Sequence, residues 1–498
     1  GFNEISTVMY AEVITPDGKK IIGGKYPIQQ EISEGCLKLP DDMISGIYYV
    51  RAYTKWMRNQ GPESYAYVML KIVNPNRTEV LTTQHLGPEA SAVTDQKTST
   101  GFELTSNAQT FSPGTPVTIK VNETLGSDKI VHSTCSVAPK WTSAFDGAIF
   151  NSNDQPKSQV EFVAESKGVT ITGKVMDLKT NQPLVKARVD LSIIGRGRDF
   201  MAAETDSSGH YYFSLPDFTG HRDLFLCVEQ DSFSHPKLLV DNDFCTIPVH
   251  LPSPEFSLSS EERTVVTAMM QNVQLNHYFT ADTAHCRELN PVVDKAFYGE
   301  PTDVIFFDQY VQLPTIEEYF NELPTPVKVR RHNGHRYFKV IGTAFELSYF
   351  NPLVLVDWVA VSNPEKILAA SPNTIERIEV VNTPYVKGDI TYGGVVSILS
   401  KKGDFGGIDL PSSGIFLQYL FQSDTCHCAV LQPSGPSLPD TRNTVYWNPD
   451  VRFDSNSHAD INFIAPQTPG QYRVTVRGIK ESGGEVKGEI LFDVLNSH

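Results

Sequence analysis

Few residues in this chain are placed to do chemistry. Its seven cysteines are Cys36, Cys135, Cys227, Cys245, Cys286, Cys426 and Cys428, and only the last two stand together, in the stretch TCHC around His427. Zinc ligands usually come as pairs two to four residues apart with a second pair elsewhere, and no second pair accompanies this one. The cysteines are therefore read as buried small hydrophobes with at most one or two bridges, and the odd count leaves at least one thiol unpaired within the chain. His332 and His335 flank Asn333-Gly334. With no third ligand near them they read as solvated hairpin side chains. The chain has no G-x-S-x-G elbow, H-E-x-x-H helix, Walker loop, Rossmann glycine fingerprint or EF-hand loop. Carboxylates are spread throughout, and spacing alone does not pick out a catalytic couple. No catalytic, cofactor-binding or metal-ligating residue is nominated, no cofactor is expected, and the chain is expected not to be an enzyme.

The totals exclude one partner class. The 498 residues carry 58 acidic and 42 basic side chains, a formal net charge of −16. That charge repels phosphate backbones and argues against nucleic acid as a partner. The length suits about three domains of ordinary size, or more if they are small. No run approaches the roughly 18 apolar residues of a membrane helix, so no transmembrane span is expected in this segment. The opening GFNEIS has neither a basic start nor an apolar stretch, so Gly1 is read as a processing or cloning scar and any export signal as already removed.

The elements that would position any site are mostly strands. VMYAEVI alternates up to a turn at Pro16-Asp17-Gly18. After Gly46, Ile47, Tyr49 and Arg51 point one way and Tyr48, Val50 and Ala52 the other. TFSPGTPVTIKVN is a turn followed by the alternating Val117, Ile119 and Val121. Asp206 to Gly209 makes a tight turn, after which Tyr211 and Phe213 bury on one face. The one long helical signal is SLSSEERTVVTAMMQNVQLNHYF. Ser259 and Glu262 form a capping-box spacing, and Val265, Met269 and Val273, with Val266 and Met270 beside them, make one apolar stripe. Such a stripe reads as core packing. Further on, Thr315 and Glu318 start a short helix, Asn333-Gly334 turns a hairpin, and Asn363-Pro364 caps another helix. Strands are expected at 353–358, 375–381 and 394–401. At the end, Ala459, Ile461 and Phe463 share one strand face, as do Tyr472, Val474 and Val476.

Several stretches resemble known modules. ITPDGK, SGIYYVRAYTKWMRN and IVNP in residues 1–78 resemble a macroglobulin-type domain of the bacterial α2-macroglobulin-like group. Residues 79–166 continue in the style of a second Ig-like sandwich. VTITGKVMDLKTNQPLVKARVDLSI and AAETDSSGHYYFSLPD, in 167–252, resemble the carboxypeptidase-regulatory-like domain, a seven-stranded sandwich without peptidase chemistry. FYGEPTDVI, LPTIEEYF, PLVLVDWVAV and SPNTIERIEVVNTPYVKGDITYGGVVSILSKKGD, in 253–405, resemble the plug domain of TonB-dependent outer-membrane receptors. Plug domains commonly carry valine-aspartate-glycine where this chain has Asp357-Trp358, which implies an altered turn. Residues 406–498, with Tyr446-Trp447-Asn448-Pro449, resemble a final macroglobulin-like sandwich. A receptor barrel of about 22 strands at about 9–11 residues each cannot be built from the 94 residues after Asp404. The expected fold is thus mainly β, several Ig-like or macroglobulin-like sandwiches plus one small α+β plug-like domain. The plug-like sheet is expected to be covered by the Val265–Met270–Val273 helix and the adjoining sandwiches.

This combination is similar to large bacterial envelope proteins that join such modules without a barrel. The resemblance implies an exported, non-catalytic scaffold or binding protein of the periplasm or outer-membrane surface. Its partner would be another protein or an outer-membrane transport component. The alternative is a macroglobulin-like protease-interacting protein offering GPEASAVTDQKTSTG as bait. The Cys-Gly-Glu-Gln thioester motif of covalent-trapping relatives is absent. A hydrolase with an unrecognised site stands third. The oligomeric state and the binding residues stay open.

Overall fold

The computed structural model describes residues 6–82, 99–126, 128–142, 148–149, 160–195, 197–228, 235–279, 295–323, 325–423 and 439–496. The fold is mainly β. Two compact units divide the chain, and each is assembled from separate stretches. The first comprises Gly1–Ala164, Phe244–Arg287 and Asp424–His498; the second comprises Glu165–Asp243 and Glu288–Ser423.

The first unit opens with β1 (Val8–Ile14), β2 (Lys20–Gln29), β3 (Ile32–Ser33), β4 (Gly46–Tyr53) and β5 (Ala66–Ile72). They form one sheet in the order β5-β4-β1-β2-β3, with the short strand Ala148–Ile149 on the outer side of β5. β1 is buried along nearly its whole length, as expected for a strand covered on both faces. One face carries Val13, Tyr48, Val50 and Ile72, packed with Met43, Leu37 and Leu81. The other carries a polar core. There the fully buried Arg51 donates from Nε to Glu12 Oε2 at 2.7 Å, and Tyr53 donates to the same oxygen at 2.8 Å. Arg51 Nη2 donates to the Cys245 carbonyl at 2.6 Å, and the Cys245 amide donates to the Tyr53 hydroxyl at 2.8 Å. Tyr53 stacks on Tyr10 and Tyr65, with ring centroids 5.6 and 4.3 Å away. Burial acts against the Arg51 charge, but the Glu12 bond and field outweigh it and hold its pKa above the ordinary value. Burial pushes the Tyr53 and Tyr65 hydroxyls far up. The stretch from Phe244 onward is thereby fixed to the sheet. Gly23 is required beneath it, since a Cβ there would lie 2.7 Å from the Phe244 ring.

The same unit contains a β-sandwich. One of its sheets runs Tyr446–Asn448, Ile130–Pro139, Gly470–Lys480, Glu485–Val494 and Ser99–Thr100, with Thr110–Phe111 also on Glu485–Val494; the other runs His458–Ile464, Pro116–Glu123, Phe102–Ser106. This corrects the division of these residues between one sandwich at 79–166 and another at 406–498. Ile119 faces Ile461, and Cys135 faces Val476, in direct antiparallel register. The alternation of each strand fixes that one face is buried, but it carries no information on which strand lies beside it.

A second correction concerns the seven-stranded sandwich of the other unit. Its sheets are His210–Ser214, Thr170–Asp177, Pro236–Val240 and Asp199–Glu204, Arg188–Ile194, His221–Val228, Ile415–Leu420. The seventh strand therefore comes from beyond residue 406, and the α+β stretch is inserted between the sixth and the seventh. The turn after Thr170–Asp177 is locked by the Asp177 carboxylate, which accepts from the Thr180, His235 and Lys179 amides. The Thr180 and His235 bonds lead in holding its pKa down at about 2. An unfolded aspartate titrates near pH 4, so this stabilisation is complete above about pH 4 and is lost as pH falls towards 2. Asp177→Asn is accordingly expected to melt below the parent at neutral pH, with the gap closing through that acid window. A gap independent of pH would contradict the assignment.

The α+β stretch holds a five-stranded sheet in the order Asp303–Phe306, Ile375–Val381, Val395–Ser400, Leu353–Val356, Val359–Ala360. One face packs Val356, Ile378 and Ile398 against Phe320 and Ile367. These last two come from α2 (Ile316–Glu322) and, after the four-residue α3 (Glu346–Tyr349), from α4 (Pro364–Leu368). Thr315 and Glu318 close the expected capping box. The other face packs Leu355, Val395 and Leu399 against Phe200 and Tyr298. Part of the expected cover is therefore present, from the sandwich of the same unit through Phe200. The long helix belongs to the first unit. Asp357 and Trp358 also differ from expectation. Val356 pairs with Val359 across them, with φ of 42° and 75°, so the two-residue turn keeps the geometry that favours glycine. Such backbone costs of order 1–3 kcal/mol per residue. It is offset by three bonds to the Asp357 carboxylate, from the Ser400 amide and hydroxyl and the Phe405 amide at 2.6–2.8 Å, and by stacking of Trp358 on Tyr298 at 5.8 Å.

Candidate functional site

The helix with the apolar stripe, α1 (Ser260–Phe279), starts as its sequence requires. The Glu262 amide donates to Ser259 Oγ at 3.1 Å, and the Ser259 amide donates back to Glu262 Oε2 at 2.8 Å. The same carboxylate takes Lys71 Nζ of β5 at 2.8 and 3.0 Å. The lysine bond leads in holding the Glu262 pKa below the usual range. One residue thus caps the helix and ties its first turn to β5. Further along, Asn272 donates to Asn443 Oδ1 at 3.0 Å.

Between these ties α1 does not close onto the sheet. A cleft of about 840 Å³ remains, lined by Val265, Val266, Met269, Met270 and Val273 from the helix, residues 68–76 from β5 and beyond, Leu39 and Met43 before β4, and Trp141. Its volume falls in the range of ligand sites. The stripe expected as core is half-buried at Val265, Met269 and Met270, and Val273 is 61% exposed, as is Trp141 of the cleft lining at 41%. The correction has a simple cause. A helical apolar stripe shows that something apolar belongs against it, and the protein's own sheet covers only part of it.

Tyr67 and Val68 pair with Ile149 and Ala148. On its other side β5 pairs antiparallel with β4 from Ala66 to Ile72. Register places Tyr67, Met69 and Lys71 on the sheet face that carries Tyr49 and Arg51, and Val68, Leu70 and Ile72 on the face that carries Tyr48 and Val50. The Lys71–Glu262 pair puts α1 on the first of these faces. Met43, clustered with Tyr48 and Ile72, lies on the second.

No family model matches the chain, and no curated protein matches it. Solved structures similar to it include Salmonella alpha-2-macroglobulin reacted with methylamine, at 10% identity and a TM-score of 0.21, over 99% of this chain and 37% of that one. The native conformation of E. coli alpha-2-macroglobulin matches at 9% identity and a TM-score of 0.20, over 98% of this chain and 38% of that one. A tetra-tandem repeat from the extending region of a large adhesion protein matches at 7% and 0.11, over 99% and 92%. The chain spans less than two fifths of the length of the two macroglobulins. Overlap at such scores carries no argument for function.

The residues weighed from sequence fall elsewhere. His332 and His335 face each other across the hairpin turn, both exposed, with Asn333 at φ 51° and Gly334 at φ 84°. No group of three or more potential metal ligands occurs among the described residues. Cys286, Cys426, His427 and Cys428 lie outside them, as does most of GPEASAVTDQKTSTG, whose Ser99 and Thr100 are strand residues paired with Glu485–Val494. Among the described residues no helix is long and apolar enough to cross a membrane. Another cavity, of about 360 Å³ in the second unit, is polar. There Arg188 is bonded to Asp190 and to the Tyr392 hydroxyl, and Arg336 to Glu317. The cleft beside α1 was not found from sequence. The signal that could have pointed to it is the apolar run Tyr67–Leu70 together with the apolar stripe of α1.

Proposed function

We propose that this chain is a non-catalytic binding protein of the bacterial cell envelope, exported to the periplasm or outer-membrane surface, and that it engages another protein. The cleft between α1 and β5 carries the reading. It presents a helix face that is only partly buried among the described residues, and its methionines suit adaptable contacts with an apolar partner. The resemblance of the sequence to envelope modules supports the location, and the net charge of −16 supports a partner other than nucleic acid. A photo-crosslinking residue at Val273 on the cleft lip, compared with one at the equally exposed Leu178 of the other unit, tests this in envelope extract. A discrete protein adduct is expected at position 273 and none at 178. Equal labelling at both positions, or no adduct at 273, rejects the proposal.

A further inference from the structure

We infer that the second unit carries a lipid-facing surface, in which a basic hairpin face and a projecting aromatic pair dock together on an anionic phospholipid bilayer. The inference goes beyond the protein-binding reading and stands apart from it, since the cleft lies in the first unit.

Strands Val327–His332 and His335–Val340 pair residue by residue across the Asn333-Gly334 turn. Alternation puts Val327, Val329, Phe338 and Val340 on the core side, followed towards the turn by Arg331 and Arg336. On that side Arg336 is paired with Glu317 and Glu365, and Arg331 lies 3.7 Å from Glu317. The opposite face consists of three cross-strand pairs, Lys328–Lys339, Arg330–Tyr337 and His332–His335. It carries three cations and no carboxylate, in a chain of net charge −16. Like charges directly opposite each other cost stability, and here neutral groups hold them. Lys328 Nζ donates to the Phe320 carbonyl at 3.2 Å, and Lys339 Nζ donates to the Ser348 carbonyl at 2.7 Å. Neither bond cancels a charge. The Arg330 side chain is exposed, as are both histidines.

The Lys339 bond holds the end of α3 against this face. There Phe345 and Tyr349, with ring centroids 4.4 Å apart, are 70% and 69% exposed. Ile341 and Phe350 beside them are exposed too. Glu346 is the one carboxylate between Val327 and Phe350. Charge and shape together select the partner. At physiological salt, charges are screened beyond about 8 Å, so these local cations, not the distant carboxylates, meet an approaching surface. Basic residues beside protruding aromatic rings suit the bilayer interface, with cations on the phosphates and rings at the headgroup level. A soluble acidic segment would use the cations and leave Phe345 and Tyr349 in water.

Vesicle flotation of the full chain tests this, with phosphatidylcholine alone and with phosphatidylcholine and phosphatidylglycerol in equal parts. The chain is expected to float with the mixed vesicles only, and less as salt rises. Arg330→Glu is expected to weaken that binding about tenfold, and Phe345→Ser combined with Tyr349→Ser by a similar factor. All three positions are exposed, so each variant should melt as the parent does. Arg452→Glu, at an exposed arginine of the first unit, should bind as the parent does. Absence of binding to the mixed vesicles overturns the inference, and so does parent-like binding by the Arg330 variant or by the aromatic one. Tighter binding to a soluble polyglutamate peptide than to the mixed vesicles also overturns it, and would assign the face to an acidic protein segment instead.

Discussion

Replacing Glu12 with alanine is expected to destabilise the first unit by about 3–5 kcal/mol, the usual effect of stripping one partner from a buried ion pair. Both members of the Glu12–Arg51 pair are fully buried, so the surviving guanidinium would stay in a medium that solvates it poorly. The loss spreads, because Glu12 Oε2 also accepts from Tyr53, whose own oxygen takes the Cys245 amide. Removing the pair together, with Glu12→Met and Arg51→Met, should cost less than Glu12→Ala alone. Apolar replacement of a buried pair is often nearly neutral, although the Cys245 carbonyl then loses its donor. Chemical denaturation followed by near-ultraviolet circular dichroism of the Tyr10–Tyr53–Tyr65 stack measures both variants against the parent. A Glu12→Ala loss below 1 kcal/mol, or a double variant worse than the single one, would show that the pair is not the anchor described.

Ending the chain at residue 438 is expected to abolish the sandwich of the first unit while sparing the seven-stranded one. Of the eighteen buried residues in the sandwich core, eleven, from Val445 to Val494, lie beyond that point. At about 1.5–3 kcal/mol for each large apolar side chain buried, their removal exceeds the roughly 5–15 kcal/mol by which a whole domain is stable. Ile130–Pro139 would lose a neighbour on each side. Cys135 reports the outcome. It is fully buried between the sheets, and burial pushes its thiol up to about 12, so it should resist alkylation at neutral pH in the full chain. In the shortened chain it should react readily, and a separately produced 439–498 segment should restore protection. Ile415–Leu420 remains in the shortened chain, so protection of Leu191 and Leu226 in the second unit should persist. A Cys135 that stays protected without residues 439–498 would mean that 79–166 folds alone.

Local chemistry was legible from the residues. Ser259 with Glu262 and Thr315 with Glu318 announced their helix starts, because an N-cap oxygen and a reaching carboxylate satisfy amides within one turn of chain. Asn333-Gly334 announced its hairpin, and Asp206 to Gly209 its turn, with Tyr211 and Phe213 buried just beyond. The alternation of Ile461 with Phe463 and of Val474 with Val476 gave their buried faces correctly. In each case the cause lies within a few residues, so sequence by itself determined the mainly β class, the helices and most turns.

What sequence left undecided depends on partners far along the chain. Ile119 lies against Ile461, and Leu224 against Leu417; any strand with the same alternation would have fitted the pattern equally well. The Asp357-Trp358 turn kept a glycine-like backbone because Ser400, Phe405 and Tyr298 hold it from elsewhere in the fold. The candidate site depends most on tertiary structure. Val265 and Met269 read as core because an apolar stripe wants cover. Only the folded unit decides that the cover is incomplete, because the Lys71–Glu262 tie sets where α1 can lie.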